Sequence, residues 1–186
     1  FLQLLAYVGA ALRQVYPHEP GGVVTVCPRT KLRMMTPEEA ARSFPRLLEE
    51  DLLVPLLVTG GSMVPFLRHR RDVVYIRGIR YQSPREGDVI LFCREGGQAL
   101  VLHRVLSRYA DGSFQVGGDA QTWTEVVRPE QILGVVTWLS RNGGKAFPAR
   151  RLDQRVLWGL WWVLRPWRPQ LLRWAARVHK KRASAP

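Results

Sequence analysis

Gly60-Gly61-Ser62-Met63-Val64-Pro65, Leu102-His103-Arg104-Val105 and Gly117-Gly118-Asp119-Ala120 are the three short blocks of this chain whose residue types could carry a reaction. In that order they supply a glycine-flanked serine, a histidine and a carboxylate. A serine hydroxyl is almost entirely un-ionised at neutral pH, so it attacks poorly unless a base within hydrogen-bond reach takes its proton. His103, with an ordinary pKa of about 6.5, is the natural base for Ser62. An acid on its second nitrogen would orient the ring and stabilise the imidazolium. Gly60 and Gly61 let the backbone approach a substrate closely. Taken singly, Gly-Gly-Ser and Gly118-Asp119 read as turns and His103 as an ordinary strand residue. The set gains its meaning from the order of the blocks and their place beside strand-like segments.

A rigid frame must hold such a set, and the sequence from Val54 onward reads as one. Leu56 to Thr59, Val73 to Arg77, Asp88 to Cys93, Leu100 to Ser107, Ser113 to Val116 and Ile132 to Ser140 are short branched-aliphatic runs bounded by Gly, Pro and Asp. They predict a mainly β fold, a compact antiparallel β domain over 52–149, with Ser62 on a loop or short helix leaving the first strand. Tyr109-Ala110-Asp111-Gly112 reads as a hairpin turn and Glu95-Gly96-Gly97-Gln98 as another turn. Residues 1–51 form a helical and linker segment in this reading. It holds a short apolar helix from Phe1 to Leu12, a Pro/Gly-rich stretch from Pro17 to Gly22 and a strand over Val23 to Val26. Thr36-Pro37-Glu38-Glu39 then starts a helix: Thr36 caps, Pro37 suits the first turn and Glu39 completes a capping box. Pro45 interrupts that helix, and Leu47-Leu48 belong to a second one.

Residues 150–186 form a separate tail. They hold ten Lys/Arg against one acid, Asp153, within a chain of 186 residues whose formal net charge is +13. Trp158, Trp161, Trp162, Trp167 and Trp174 are interleaved with these arginines. Pro166 and Pro169 divide the tail into two helical pieces, and it closes in Lys180-Lys181-Arg182. Tryptophan favours the bilayer interface while arginines reach headgroup phosphates, so the tail suits attachment to an anionic membrane surface. The competing reading packs the tryptophans onto the β domain. Nucleic acid is the least favoured partner, because no recognised binding motif accompanies the basic residues. No run approaches the roughly 20 apolar residues that span a bilayer. The expected location is therefore a membrane surface, peripheral or anchored through a segment preceding Phe1, at the cytoplasmic face or cell membrane. Cys27 and Cys93 match no metal spacing, and no His/Cys/carboxylate cluster has zinc spacing, so no metal or organic cofactor is implied.

The serine block resembles the signal peptidase I family, in which a Ser-Met-x-Pro segment carries the nucleophile. The likeness continues through Arg85-Glu86-Gly87-Asp88-Val89-Ile90, Leu102-His103-Arg104-Val105 and Gly118-Asp119, over about Val54 to Val136. The family's first Gly-Asp after the serine reads Arg71-Asp72 here. Most bacterial members, and the related LexA-type self-cleaving repressors, have a lysine where this chain has His103. A histidine there is similar to the archaeal and endoplasmic-reticulum branch. The resemblance implies a signal peptidase/LexA-like β domain with Ser62 as nucleophile and His103 as base. It gives the oxyanion to the Ser62 amide, helped by a neighbouring backbone donor such as Gly60 or Gly61. It implies Asp119 as the orienting acid, with Glu125 as the alternative because it lies near the endoplasmic-reticulum branch's aspartate. Met63 and Pro65 would shape the substrate groove. Arg104 reads more simply as a solvated strand residue.

The expected function is thus a serine endopeptidase that cuts leader or signal peptides after small residues at a membrane surface. A dedicated maturation enzyme fits better than general secretion. One rival is a LexA-like self-cleaving regulator, which would need an internal scissile bond and a DNA-binding module that the N-terminal region does not display. The other is a non-catalytic membrane- or nucleic-acid-associated binding module on the same fold.

Overall fold

A computed structural model describes residues 6–8, 33–35, 37–49, 52–94, 100–168 and 170–171. Strands β1 (Ala6–Val8), β2 (Arg33–Met35), β3 (Val54–Leu57), β4 (Asp72–Gly78), β5 (Val89–Cys93), β6 (Leu100–Arg108), β7 (Phe114–Gly117), β8 (Glu125–Val127), β9 (Ile132–Arg141) and β10 (Phe147–Pro148) build one antiparallel sheet. Its order is β2-β1-β3-β4-β9-β5-β6-β7-β8, with β10 paired to β9. Helix α1 (Pro37–Glu49) precedes β3, and helix α2 (Leu152–Val163) follows β10, with a short 3-10 turn at Arg165–Trp167. The protein is therefore mainly β with two short helices, one near its C-terminal end.

Alternation along the strands sorts side chains onto two cores. Val89 and Leu91 of β5 and Leu100 and Leu102 of β6 enter the first, with Phe44, Val54, Leu56 and Leu139. Ile90 and Phe92 of β5 and Val105 of β6 enter the second, with Phe114, Val116 and Val135. The sheet thus curls around apolar matter on both faces, and β5, β6 and β9 lie between the two. The hairpin turn between β6 and β7 closes through Tyr109 N–H to Ser113 O at 2.9 Å and Gly112 N–H to Tyr109 O at 3.1 Å.

Several expectations change. Residues 6–8 form a strand, not part of an apolar helix, because they pair with Arg33–Met35 and, at Val8, with Leu56. Pro45 does not split α1. It lacks the N–H for one helical bond, but Phe44 and Leu48, four residues apart, are both buried in the first core and hold the last turn in place. β8 and β10, of three and two residues, are too short to be read as strands from the sequence and form by pairing with β7 and β9. The strand expected over Val23 to Val26, the Pro17–Gly22 stretch, the Glu95–Gln98 turn, Thr36, Trp174 and Lys180-Lys181-Arg182 lie outside the described residues.

Helix α1 meets the sheet at Gly78, where a Cβ would collide with the Leu48 carbonyl oxygen and lie 3.0 Å from its carbon. Because the obstacle is helix backbone, no rotamer change relieves it. Gly78→Ala should destabilise the protein by about 1–3 kcal/mol, read as a lower thermal midpoint with the β-type circular dichroism unchanged at low temperature.

Candidate active site

Ser62 lies in the loop between β3 and β4, and that loop is tied down at both ends. Val58 N–H donates to Asp72 O at 2.9 Å and Arg70 N–H to Val58 O at 2.7 Å. The buried Asp72 carboxylate accepts from Arg68 N–H at 2.9 Å and from the Arg71 guanidinium at 2.6 and 2.8 Å. Burial pushes the Asp72 pKa up, but the Arg71 and Arg68 hydrogen bonds outweigh it and hold the group below the usual carboxylate value. Met63 and Leu67 anchor the loop in the first core. Met63, expected to shape a substrate groove, is buried in the first core, and Pro65 is half-buried in the loop. Gly60 N–H is committed to His69 Nδ1 at 3.0 Å. Among the described residues, the Gly61 and Ser62 amides have no acceptor and the Ser62 hydroxyl has no partner.

His103 sits in the middle of β6 opposite Ile90 and turns toward the second core. Its ring lies 5.9 Å from Phe92 and 5.7 Å, edge-on, from Trp123. Nδ1 is 2.8 Å from Glu125 Oε1. The carboxylate makes a close contact with Nδ1 without an aligned hydrogen bond, and the contact becomes an ion pair only when the ring is protonated. Glu125 is itself gripped by Arg94, through Nε at 2.9 Å and Nη2 at 2.8 Å, with the guanidinium 5.6 Å above the Trp123 ring. Burial lowers the His103 pKa below its ordinary value and the Arg94 charge adds to that, against the opposing pull of Glu125 and Asp119. The imidazole consequently keeps its neutral, proton-accepting form to lower pH than a free histidine. Glu125 faces Nδ1 and not Nε2.

Arg104, next in sequence, points to the opposite face. It is 9% exposed, not a solvated strand residue. Its guanidinium donates to both oxygens of buried Asp119, at 2.8 and 2.7 Å, and to Gly87 O at 2.7 Å. Asp119 is thus occupied by Arg104 and does not orient His103. The carboxylate on the imidazole belongs to Glu125. The same turn receives the serine loop: Ala120 N–H donates to Ser62 O at 2.8 Å, and a Cβ on Gly118 would lie 2.6 Å from that oxygen. Only glycine permits so close an approach there.

The structure therefore brings Ser62 to the Gly118–Ala120 turn and Glu125 to His103, and it makes no hydrogen bond between the serine hydroxyl and the imidazole. Catalytic hydrogen bonds in unliganded proteins are often formed only with substrate in place. No family model, no curated protein and no solved structure matches this chain. What can be said of the site rests on its own geometry.

Helix α2 reaches this region as the competing sequence reading had it, with Trp158 and Trp161 packed onto the β domain. Trp161 donates through Nε1 to Asp119 O at 2.7 Å and packs edge-on against Phe66 of the serine loop at 6.5 Å. Arg104 lies between Phe66 and Trp158, 5.3 and 5.6 Å from the two rings. His69 reads from its arginine-rich surroundings as a surface-loop residue, which does not signal its bond to Gly60 N–H, and no spacing signals Arg94 or Trp123. A cavity of about 530 Å³ runs between α2 and the sheet beside Phe66, Arg104, Arg150 and Trp158, but neither Ser62 nor His103 lines it. It is not the place where their chemistry would occur.

The two acids should separate cleanly. Asp119→Ala leaves a buried arginine unpaired and should cost about 3–5 kcal/mol of stability. Glu125→Gln, in a partly exposed pair with Arg94, should cost no more than about 1 kcal/mol. Chemical denaturation of both variants measures this contrast.

The His103 ring should titrate by NMR with a midpoint below about 6.5, because burial disfavours its charged form. Glu125→Gln removes an attraction for the imidazolium and should move that midpoint further down. Arg94→Gln removes a repulsion and should move it up.

Proposed function

We propose that this chain is a serine endopeptidase of the signal peptidase I type, acting on leader or signal peptides after small residues. Two observations support the reading: a buried His103 whose Nδ1 lies 2.8 Å from Glu125 and whose pKa is lowered by burial, and a pinned serine loop whose Gly61 and Ser62 amides have no acceptor among the described residues. A glycine-rich turn with free donors, a hydroxyl and a depressed imidazole are the parts that acyl transfer needs.

In this mechanism the Ser62 Oγ attacks the scissile carbonyl carbon while its proton passes to His103 Nε2. The carbonyl π electrons move onto oxygen, and the Ser62 and Gly61 N–H groups stabilise the resulting negative charge. Gly60 is not part of that hole, since its N–H is spent on His69. Glu125 stabilises the imidazolium across the 2.8 Å contact. Collapse of the intermediate breaks the C–N bond, and His103 returns the proton to the departing amine. Water then attacks the acyl-enzyme with His103 again as base, releasing the new carboxyl terminus and restoring Ser62.

Asp119 has a different task in this scheme. Together with Arg104 it fixes the turn on which the Ser62 carbonyl rests, so it positions the nucleophile without touching the imidazole.

Mass-spectrometric profiling of a peptide library with small residues at varied positions tests the proposal. The protein should cleave, and Ser62→Ala should lose activity by a factor on the order of a million in turnover. His103→Ala should be similarly impaired, and the double variant no worse than either single one, because the two residues act as a unit. Activity in Ser62→Ala above a tenth of that of the parent protein would overturn the assignment.

A further inference from the structure

Helix α2 is apolar on both sides, and its two sides have different fates. Of the five tryptophans expected at a membrane interface, the three within α2 turn inward: Trp161 is hydrogen-bonded to Asp119 O, Trp158 stacks on Arg104, and Trp162 lies 5.9 Å from Trp158. The outward side is aliphatic. Leu152, Val156, Leu160 and Val163 are 76%, 54%, 58% and 70% exposed. At about 100° per residue these four fall within an arc of about 80°, directly opposite the inward-facing Trp158 and Trp161. Trp167 of the following 3-10 turn is also exposed and extends the apolar surface.

We propose that this aliphatic stripe is a docking surface for an anionic lipid bilayer, with α2 lying in the plane of the interface. A run of exposed leucine and valine at helical spacing is costly in water and stable where acyl chains can cover it. The charge around it selects the lipid: residues 150–186 carry ten Lys/Arg against one acid, and the exposed Arg155 borders the stripe. The same charge opposes a second copy of the chain as occupant, since pairing two stripes would bring two strongly basic segments together. Twelve residues of helix extend only about 18 Å, too short for the roughly 30 Å hydrocarbon core. Among the described residues no helix is long and apolar enough to cross a membrane. The contact is therefore lateral. It would hold the Ser62 loop close to the bilayer, because the inner side of the same helix packs on Phe66 and Asp119.

This inference does not rest on the peptidase reading, and its test keeps the two apart. The 186-residue chain is sedimented with vesicles of phosphatidylcholine alone or mixed equally with phosphatidylglycerol. Binding should be at least tenfold stronger to the anionic vesicles and should fall with added salt. Val156→Glu/Leu160→Glu changes two exposed positions, Val156 at the rim of the cavity between α2 and the sheet and Leu160 outside its lining, and should weaken that binding at least tenfold while leaving the thermal midpoint unchanged. Ser62→Ala should bind like the parent, whatever the outcome of the cleavage assays. Equal binding by the parent and Val156→Glu/Leu160→Glu, or no binding to anionic vesicles, would overturn the proposal. So would a parent that is a dimer in solution when the same double variant is a monomer, because the stripe would then be a protein interface.

Discussion

Arg104 and Asp119 meet in a bidentate ion pair that is almost completely buried, and most of the functional region is assembled around it. Two desolvated charges are tolerable only when their geometry is good and their remaining hydrogen-bonding capacity is used. That demand organises the neighbours. Arg104 also donates to Gly87 O, Asp119 O accepts from Trp161, and the rings of Phe66 and Trp158 cover the guanidinium. A strand, two turns, the serine loop and the C-terminal helix are thereby fastened at one point. The turn that carries Asp119 supports Ser62 through the Ala120 N–H. The position of Ser62 is accordingly a consequence of this buried charge pair.

His103 and Arg104 are adjacent in sequence and face opposite sides of β6, as strand geometry requires. Each takes a different carboxylate, Glu125 for the histidine and Asp119 for the arginine. One strand thus serves two purposes, a tunable imidazole on one face and a rigid ionic clasp on the other. The division has an electrostatic logic. Had Asp119 faced the imidazole, Arg104 would be buried without a counterion. With Glu125 shared between His103 and the more exposed Arg94, its influence on the ring is moderated, and burial prevails in setting the direction of the pKa shift.

The C-terminal helix shows why residue type alone does not say which surface a residue occupies. Tryptophan has both a large apolar body and an N–H donor. At Trp161 both are satisfied inside the protein, by Phe66 and by the Asp119 carbonyl. The smaller aliphatic residues fill the other side of the turn and stay exposed. Arg150, just ahead of the helix, fastens it to Asp88 with bonds of 2.9 and 2.6 Å, so the helix joins the β domain through ionic as well as aromatic contacts.

The sequence alone determined the antiparallel β character of the middle region. The reason is local: short branched-aliphatic runs bounded by Gly, Pro and Asp favour extended strands, and β4, β5, β6, β7 and β9 lie within a residue or so of the segments so read. It also singled out Ser62, His103, Asp119 and Glu125, because their residue types carry chemistry wherever they fall. Partnership was decided by tertiary structure. Which acid meets the histidine depends on the path of the chain between β7 and β8, and no spacing encodes it. The burial of Arg104, the commitment of Gly60 N–H to His69 and the inward turn of the tryptophans likewise depend on contacts between segments far apart in sequence. Helix α1 teaches the same point: a proline that ends an isolated helix does not end this one, because Phe44 and Leu48 are held by the sheet. Local pattern sets what each segment can be. Long-range packing and the pairing of buried charges set what each side chain does.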